Sequence, residues 1–183
     1  MKIFNLFCRS QEFHTKLENG RQRLYRIAYS WCHDPHLADD LVQETLSKAL
    51  KKSNQLRSIE AMDSWLFTIL ANCWRSYLRS KREMVDFDEE RYAHDDSPEH
   101  LTHQMETVKT VQQAIARLSI GQRQVLTLVD LEGFSYAEVA EILELPIGTV
   151  MSRLCRARQT LKDRLLNCDE VQTRPEAMLV RVK

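Results

Sequence analysis

The residues from Phe134 to Arg158, FSYAEVAEILELPIGTVMSRLCRAR, leave the chain few folds to choose from. Ser135 precedes an apolar-periodic run and Glu138 falls at N3, so hydroxyl and carboxylate can each satisfy a backbone N–H at a helix start. Phe134 and Val139 stand at N′ and N4, where a hydrophobic staple fixes the angle of chain entry. The period breaks at Glu144-Leu145-Pro146, and Pro146 suits either the turn or the first position of the next helix. In that helix Val150, Leu154, Ala157 and Leu161 share one stripe, which faces a core. The opposite side carries Ser152, Cys155, Arg156 and Gln159, flanked by Thr149, Arg153 and Arg158. Arginine, hydroxyl and amide groups bond phosphate oxygens and base edges in a groove wide enough for a helix, so this stretch reads as a DNA-reading helix-turn-helix. A solvated basic face on an ordinary helical hairpin is the competing reading.

At 183 residues the chain can form one domain or two small ones. With 43% hydrophobic and 28% charged residues it is globular, and only 4 Gly and 4 Pro favour helices over a turn-rich β fold. No run approaches the roughly 20 apolar residues that cross a bilayer. The N-terminal MKIFNLFCRSQEF lacks a long apolar region and a small-residue cleavage site, so no signal peptide and no membrane insertion are expected, and cytoplasmic residence follows. Cys8, Cys32, Cys73, Cys155 and Cys168 are scattered without a CxxC pair, which suits reduced thiols. His100 and His103 share a helical face but lack further ligands, so neither a metal nor another cofactor is expected.

A formal net charge of zero conceals segregation. Arg75, Arg79, Lys81 and Arg82 form one basic cluster, and Arg153, Arg156, Arg158, Lys162 and Arg164 another. Between them lies an acidic block: Asp86, Asp88, Glu89, Glu90, Asp95, Asp96 and Glu99. Local field therefore matters more than the sum. A strap of this charge is expected to lie against the second basic surface and compete with DNA.

Helical spacing runs from Gln11 to Trp31, interrupted but not ended by Gly20. Asp34-Pro35 then reads as an N-cap and an N1 proline. The helix opened there buries Leu37, Ala38, Leu41, Leu46 and Ala49, and turns Asp39, Asp40, Gln43 and Glu44 outward. A third helix, from about Ala61 to Lys81, is apolar over a broad face, and its Trp65 and Trp74 lie on opposite sides, so at least one belongs to the core. Periodicity fails from Val85 to about His100, around Ser97-Pro98, as a linker does. It returns before Ser119, which caps a further helix with Gln122 at N3, and Gly133 ends that helix. After Asn167 no period is evident.

Taken together, DDLVQETLSKAL (Asp39 to Leu50), SWLFTILANCWRSYLRSKR (Ser64 to Arg82) and LEGFSYAEVAEILELPIGTVMSRLCRARQTLK (Leu131 to Lys162) resemble the extracytoplasmic-function subgroup of bacterial RNA polymerase sigma factors. The match spans roughly residues 10 to 168. The resemblance implies an all-α fold of two small helical domains joined by a flexible acidic linker, the second a helix-turn-helix domain. Residues 1–84 would form the region 2 domain, 85–103 the linker, 104–168 the region 4 domain and 169–183 a tail.

By the same resemblance, Asp39, Asp40, Gln43 and Glu44 dock on the clamp of the largest polymerase subunit, where opposite charge steers association. Trp65, Asn72, Arg75, Ser76 and Arg79 meet the −10 element, Asn72 at the edge of an unstacked base and the arginines on phosphates. The loop from Arg57 to Asp63 would take a flipped base. Thr149, Met151, Ser152, Arg153 and Arg156 meet the −35 element, with Arg158 nearer the backbone. Two departures from the family pattern stand out: Ser76 replaces a common aspartate, and Met151 replaces a common basic residue and is suited to a thymine methyl instead of guanine. The implied partners are core RNA polymerase through its beta-prime clamp and beta subunit, promoter DNA, and an anti-sigma factor. No catalytic residue is implied, because polymerase supplies the chemistry. A self-sufficient dimeric regulator and a nucleic-acid-processing enzyme are the rivals. The first predicts tight operator binding without polymerase, and the second needs an acid-base or metal constellation that the sequence does not display.

Overall fold

The computed structural model describes residues 2–56, 58–84, 111 and 113–172, and side chains are described for 11–56, 58–82, 111 and 113–165. The acidic block, His100, His103, Arg57 and the last residues of the tail lie outside these. All regular structure among the described residues is helical. Helix α1 (Lys2–Cys32) begins before the first residue of the apolar pattern and passes through Gly20 unbroken. Gly20 is buried, and a methyl built there would meet Leu66 Cδ1 at an ordinary 3.6 Å. The chain turns at His33, whose φ is +55°, and Asp34 caps α2 (Pro35–Lys51), its carboxylate accepting from His36 N and Leu37 N. A short 3₁₀ turn, Ser53–Gln55, leads towards α3 (Met62–Met84).

Helices α1, α2 and α3 pack on one another through Leu24, Ile27, Trp31, Val42, Leu66 and Leu70, all buried. A second group starts with helical residues 113–116 and continues into α4 (Ile120–Leu126). Its Ser119–Gln122 capping box forms as the sequence predicts. Helix α4 widens into a π-helical turn, Thr127–Leu131, before Gly133 reverses the chain at φ +78°. Next come α5 (Tyr136–Leu143) and α6 (Ile147–Gln172), the latter longer than the apolar pattern indicates. Val125, Leu128, Val139, Ile142, Val150 and Leu154 form the core of this group.

The two groups share one continuous apolar interior. Phe67 of α3 meets Phe134 edge to face, with ring centroids 5.2 Å apart, an arrangement worth about 0.5–1.5 kcal/mol beyond its area. The Trp31 indole N–H donates to Thr127 Oγ1 at 2.9 Å, and both residues are buried. Arg123 of α4 reaches back with Nη1 to Trp31 O at 2.8 Å, while its Nη2 donates to Ala116 O and Leu118 O at 2.6 and 3.0 Å. The free carbonyls of helix ends carry partial negative charge, so they can hold a buried guanidinium. Arg23 of α1 bonds Asp63 and Glu132, each at 2.7 Å, and the Glu132 side chain is only 3% exposed.

Candidate nucleic-acid interface

The helix-turn-helix is built by local chemistry. Ser135 Oγ accepts from Glu138 N at 3.3 Å, and the Glu138 carboxylate accepts from Ser135 N at 2.8 Å. The Ser135 hydroxyl also donates to that carboxylate at 2.7 Å, and this bond, with the one from Ser135 N, holds the Glu138 carboxyl below its ordinary pKa. Helix α5 ends in a Schellman arrangement: Leu145 N donates to Ala140 O and Glu144 N to Glu141 O. Glu144 takes the left-handed conformation there, φ +55°. Pro146 sits in the turn, and its carbonyl accepts from Thr149 N and Val150 N to open α6. Phe134 and Val139 are both buried, as a staple requires.

On α6, Val150, Leu154 and Ala157 are buried against α4 and α5. Met151, Cys155, Arg156 and Gln159 are exposed, and with Tyr136 of α5 most of them border a shallow groove of about 350 Å³. Thr149 and Ser152 are half-buried, with Ser152 Oγ–H donating to Thr149 O at 3.1 Å. Two arginines that the sequence assigns to DNA are engaged by other residues of the chain. The Arg153 guanidinium lies across Gly121, where a methyl would come within 2.8 Å of Nη1, so glycine there makes room for it. Arg158 forms a two-pronged pair with Asp130, Nε at 3.2 Å and Nη2 at 2.5 Å, which raises its pKa. Of the three, Arg156 is the arginine presented outward without such a clasp.

The face of α3 divides similarly. Trp74 is buried and stacks on Tyr77 with centroids 5.6 Å apart, so it is the tryptophan in the core, while Trp65 is half-buried against that core. Ser76 and Arg79 are exposed and Asn72 is half-buried. Arg75 donates from Nη1 to Asn72 Oδ1 at 3.0 Å and to Glu144 at 2.9 Å, and from Nη2 to Leu143 O at 3.0 Å. Asn72 and Arg75 thus meet the end of α5. On α2, Asp39, Asp40, Gln43 and Glu44 form an exposed stripe, and Glu44 pairs with Lys48 at 2.7 Å.

Sequence pattern alone assigns no role to Arg23, Arg123, Thr127, Glu132 or Glu144, all of which join the two groups. Arg123 carried a usable signal, since it lies three residues before Leu126 and four before Thr127, on the same face of α4. A charged residue on such a stripe must find buried partners.

Residues 18–84 match the Sigma-70 region 2 family model and residues 109–161 match Sigma-70, region 4. That pair defines the class: a sigma-type subunit with one module on α1 to α3 and another ending in the helix-turn-helix. The chain is similar to ECF RNA polymerase sigma factor EcfG of Rhodopseudomonas palustris, 39% identical over 141 residues, covering 75% of this chain and 76% of that one. It is 32% identical over 153 residues to RNA polymerase sigma-H factor of Pseudomonas aeruginosa, covering 77% and 79%. A co-crystal structure of the sigma factor RpoE with the anti-sigma factor NepR from Bartonella quintana superposes with a TM-score of 0.70 at 32% identity, covering 85% of this chain and 98% of that one. CnrH in complex with the cytosolic domain of CnrY gives 0.60 at 26% identity, over 86% and 88%. The chain therefore belongs to the extracytoplasmic-function group of RNA polymerase sigma factors, subunits that bind core polymerase and direct initiation at promoters through −10 and −35 elements. Among the described residues no helix is long and apolar enough to cross a membrane.

Proposed function

We propose that this sigma factor docks on the polymerase clamp through Asp39, Asp40, Gln43 and Glu44, and reads its promoter with two separate faces. Asn72, Arg75, Ser76 and Arg79 of α3, bordered by Trp65, capture the −10 strand. Met151, Ser152 and Arg156 of α6, with Thr149 at its start, read the −35 duplex. Arg153 and Arg158 leave their clasps on Gly121 and Asp130 only if DNA competes for them. The chain performs no bond chemistry of its own and acts in the cytoplasm beside polymerase. An anti-sigma protein holds it inactive, a reading supported by the similar sigma factor RpoE, which was crystallised with the anti-sigma factor NepR. The observation that carries this reading is the separation of one exposed acidic stripe on α2 from the basic and polar faces on α3 and α6. Two weak DNA modules gain affinity when a third body fixes their spacing.

In vitro transcription with purified core polymerase and a library of promoter sequences tests it. Initiation should depend on the added chain and select a bipartite promoter. Charge reversal of Asp39 and Asp40 to lysine should abolish core association while the helical circular-dichroism signal is unchanged. Tight, sequence-specific binding by the chain alone as a dimer, with no affinity for polymerase, would refute the proposal.

A further inference from the structure

Glu144 stands at the helix-ending position that chains usually give to glycine, with φ +55°. A left-handed non-glycine residue needs a reason. Its side chain supplies one: the carboxylate takes Arg75 Nη1 at 2.9 Å, and the neighbouring Leu143 carbonyl takes Nη2 at 3.0 Å. Two oxygens from α5 thus meet the guanidinium fork of α3 as the oxygens of a phosphate would. The same Nη1 also holds Asn72 Oδ1 at 3.0 Å, so the amide is tied into the cluster. Behind it the halves are seated by Phe67 on Phe134 and by the Trp31 indole on Thr127.

We propose that Glu144 and the Leu143 carbonyl are an internal substitute for a DNA phosphate, so that Arg75 serves either the helix-turn-helix or the −10 strand. The free chain keeps the Asn72 and Arg75 part of its −10 face occupied, and DNA binding opens the seam. This rests on the assignment of Arg75 and Asn72 to −10 DNA, and the test separates the two.

The comparison is Glu144→Gln against Glu141→Gln in the full chain. Glu141 is exposed on α5 and Glu144 is exposed just past its end; both changes remove one negative charge, but of the two only Glu144 pairs with Arg75. Two readouts are used: NMR exchange of the Trp31 indole N–H, which is bonded across the seam, and binding of short random-sequence single-stranded DNA. When binding requires the open form, apparent affinity scales with its population. Loss of one exposed ion pair should therefore speed indole exchange and tighten DNA binding together, each by about twofold to fivefold. Glu141→Gln should do neither. Faster exchange without tighter binding, or equal behaviour of the two variants, would overturn the latch. Arg75→Ala, made on the Glu144→Gln background where the latch is already released, supplies the separating arm. If it weakens DNA binding while the Glu144 result is negative, the latch fails and the −10 assignment stands. If it leaves DNA binding intact, the assignment fails and the latch with it.

Discussion

Arg123→Met is the most informative single change to the fold. The wild-type guanidinium is buried, with its pKa lowered by burial, and it makes three bonds to carbonyl oxygens, one of them Trp31 O in the other helical group. Hydrogen bonds to charged groups contribute about 1.5–3 kcal/mol each, so three represent roughly 4.5–9 kcal/mol. Methionine removes these but also removes the cost of burying a cation, which is several kcal/mol. The difference is a net loss of about 2–4 kcal/mol, or roughly 5–15 °C in melting temperature for a chain of this size. Thermal and urea unfolding followed by circular dichroism would measure it. Because one of the three bonds spans the groups, the variant should also lose cooperativity, with the Trp31 indole NMR signal changing before the helical signal. A stability within about 0.5 kcal/mol of wild type, the scatter of ordinary surface changes, would show that relief of buried charge cancels the bonds.

Gly20→Ala should stabilise the chain by about 0.5–1 kcal/mol, since alanine is the better helix former and the new methyl meets Leu66 at ordinary contact distance; a lowered urea midpoint would contradict this. Burial and the neighbouring Arg123 charge lower the His33 pKa from 6.5 to about 4. The folded state then binds fewer protons than the unfolded chain in that window, so the stability linked to His33 is full above pH 6.5 and is lost as pH falls towards 4. His33→Asn, which tolerates the left-handed backbone, should flatten urea midpoints measured across that window. Arg156→Ala should reduce discrimination at one −35 base pair by about 1–3 kcal/mol, read as the ratio of transcription from matched and mismatched promoters; an unchanged ratio would remove Arg156 from base reading.

The elements were legible where local chemistry decides them. Asp34-Pro35, Ser119 with Gln122, and Ser135 with Glu138 cap helices as their spacing predicts. The far end of α6 was not legible, because backbone hydrogen bonds can continue a helix through residues with no apolar period. The seam was hidden for a different reason. Trp31, Phe67, Thr127 and Phe134 read equally well as the private interior of either half, and nothing in one sequence says which buried surface is common to both. The same gap explains the arginines: Arg75, Arg153 and Arg158 have the composition of a DNA face, and only the fold reveals the carboxylates, carbonyl and glycine that already receive them.

The π-helical turn at Thr127–Leu131 sets a constraint of length. Its Glu132 N–H reaches back five residues to Thr127 O, which accommodates one more residue than an α-turn would. Within eight positions this wide turn aims Thr127 at Trp31, Asp130 at Arg158, Glu132 at Arg23 and Phe134 at Phe67. Deleting any single residue would restore ordinary winding and rotate the downstream side chains by about 100°, so that several of these pairings miss together. Leu131 projects outward, 59% exposed, so its side chain takes little part in these pairings. Across descendants of this chain, the spacing from Thr127 to Phe134 should therefore outlast the letters that fill it.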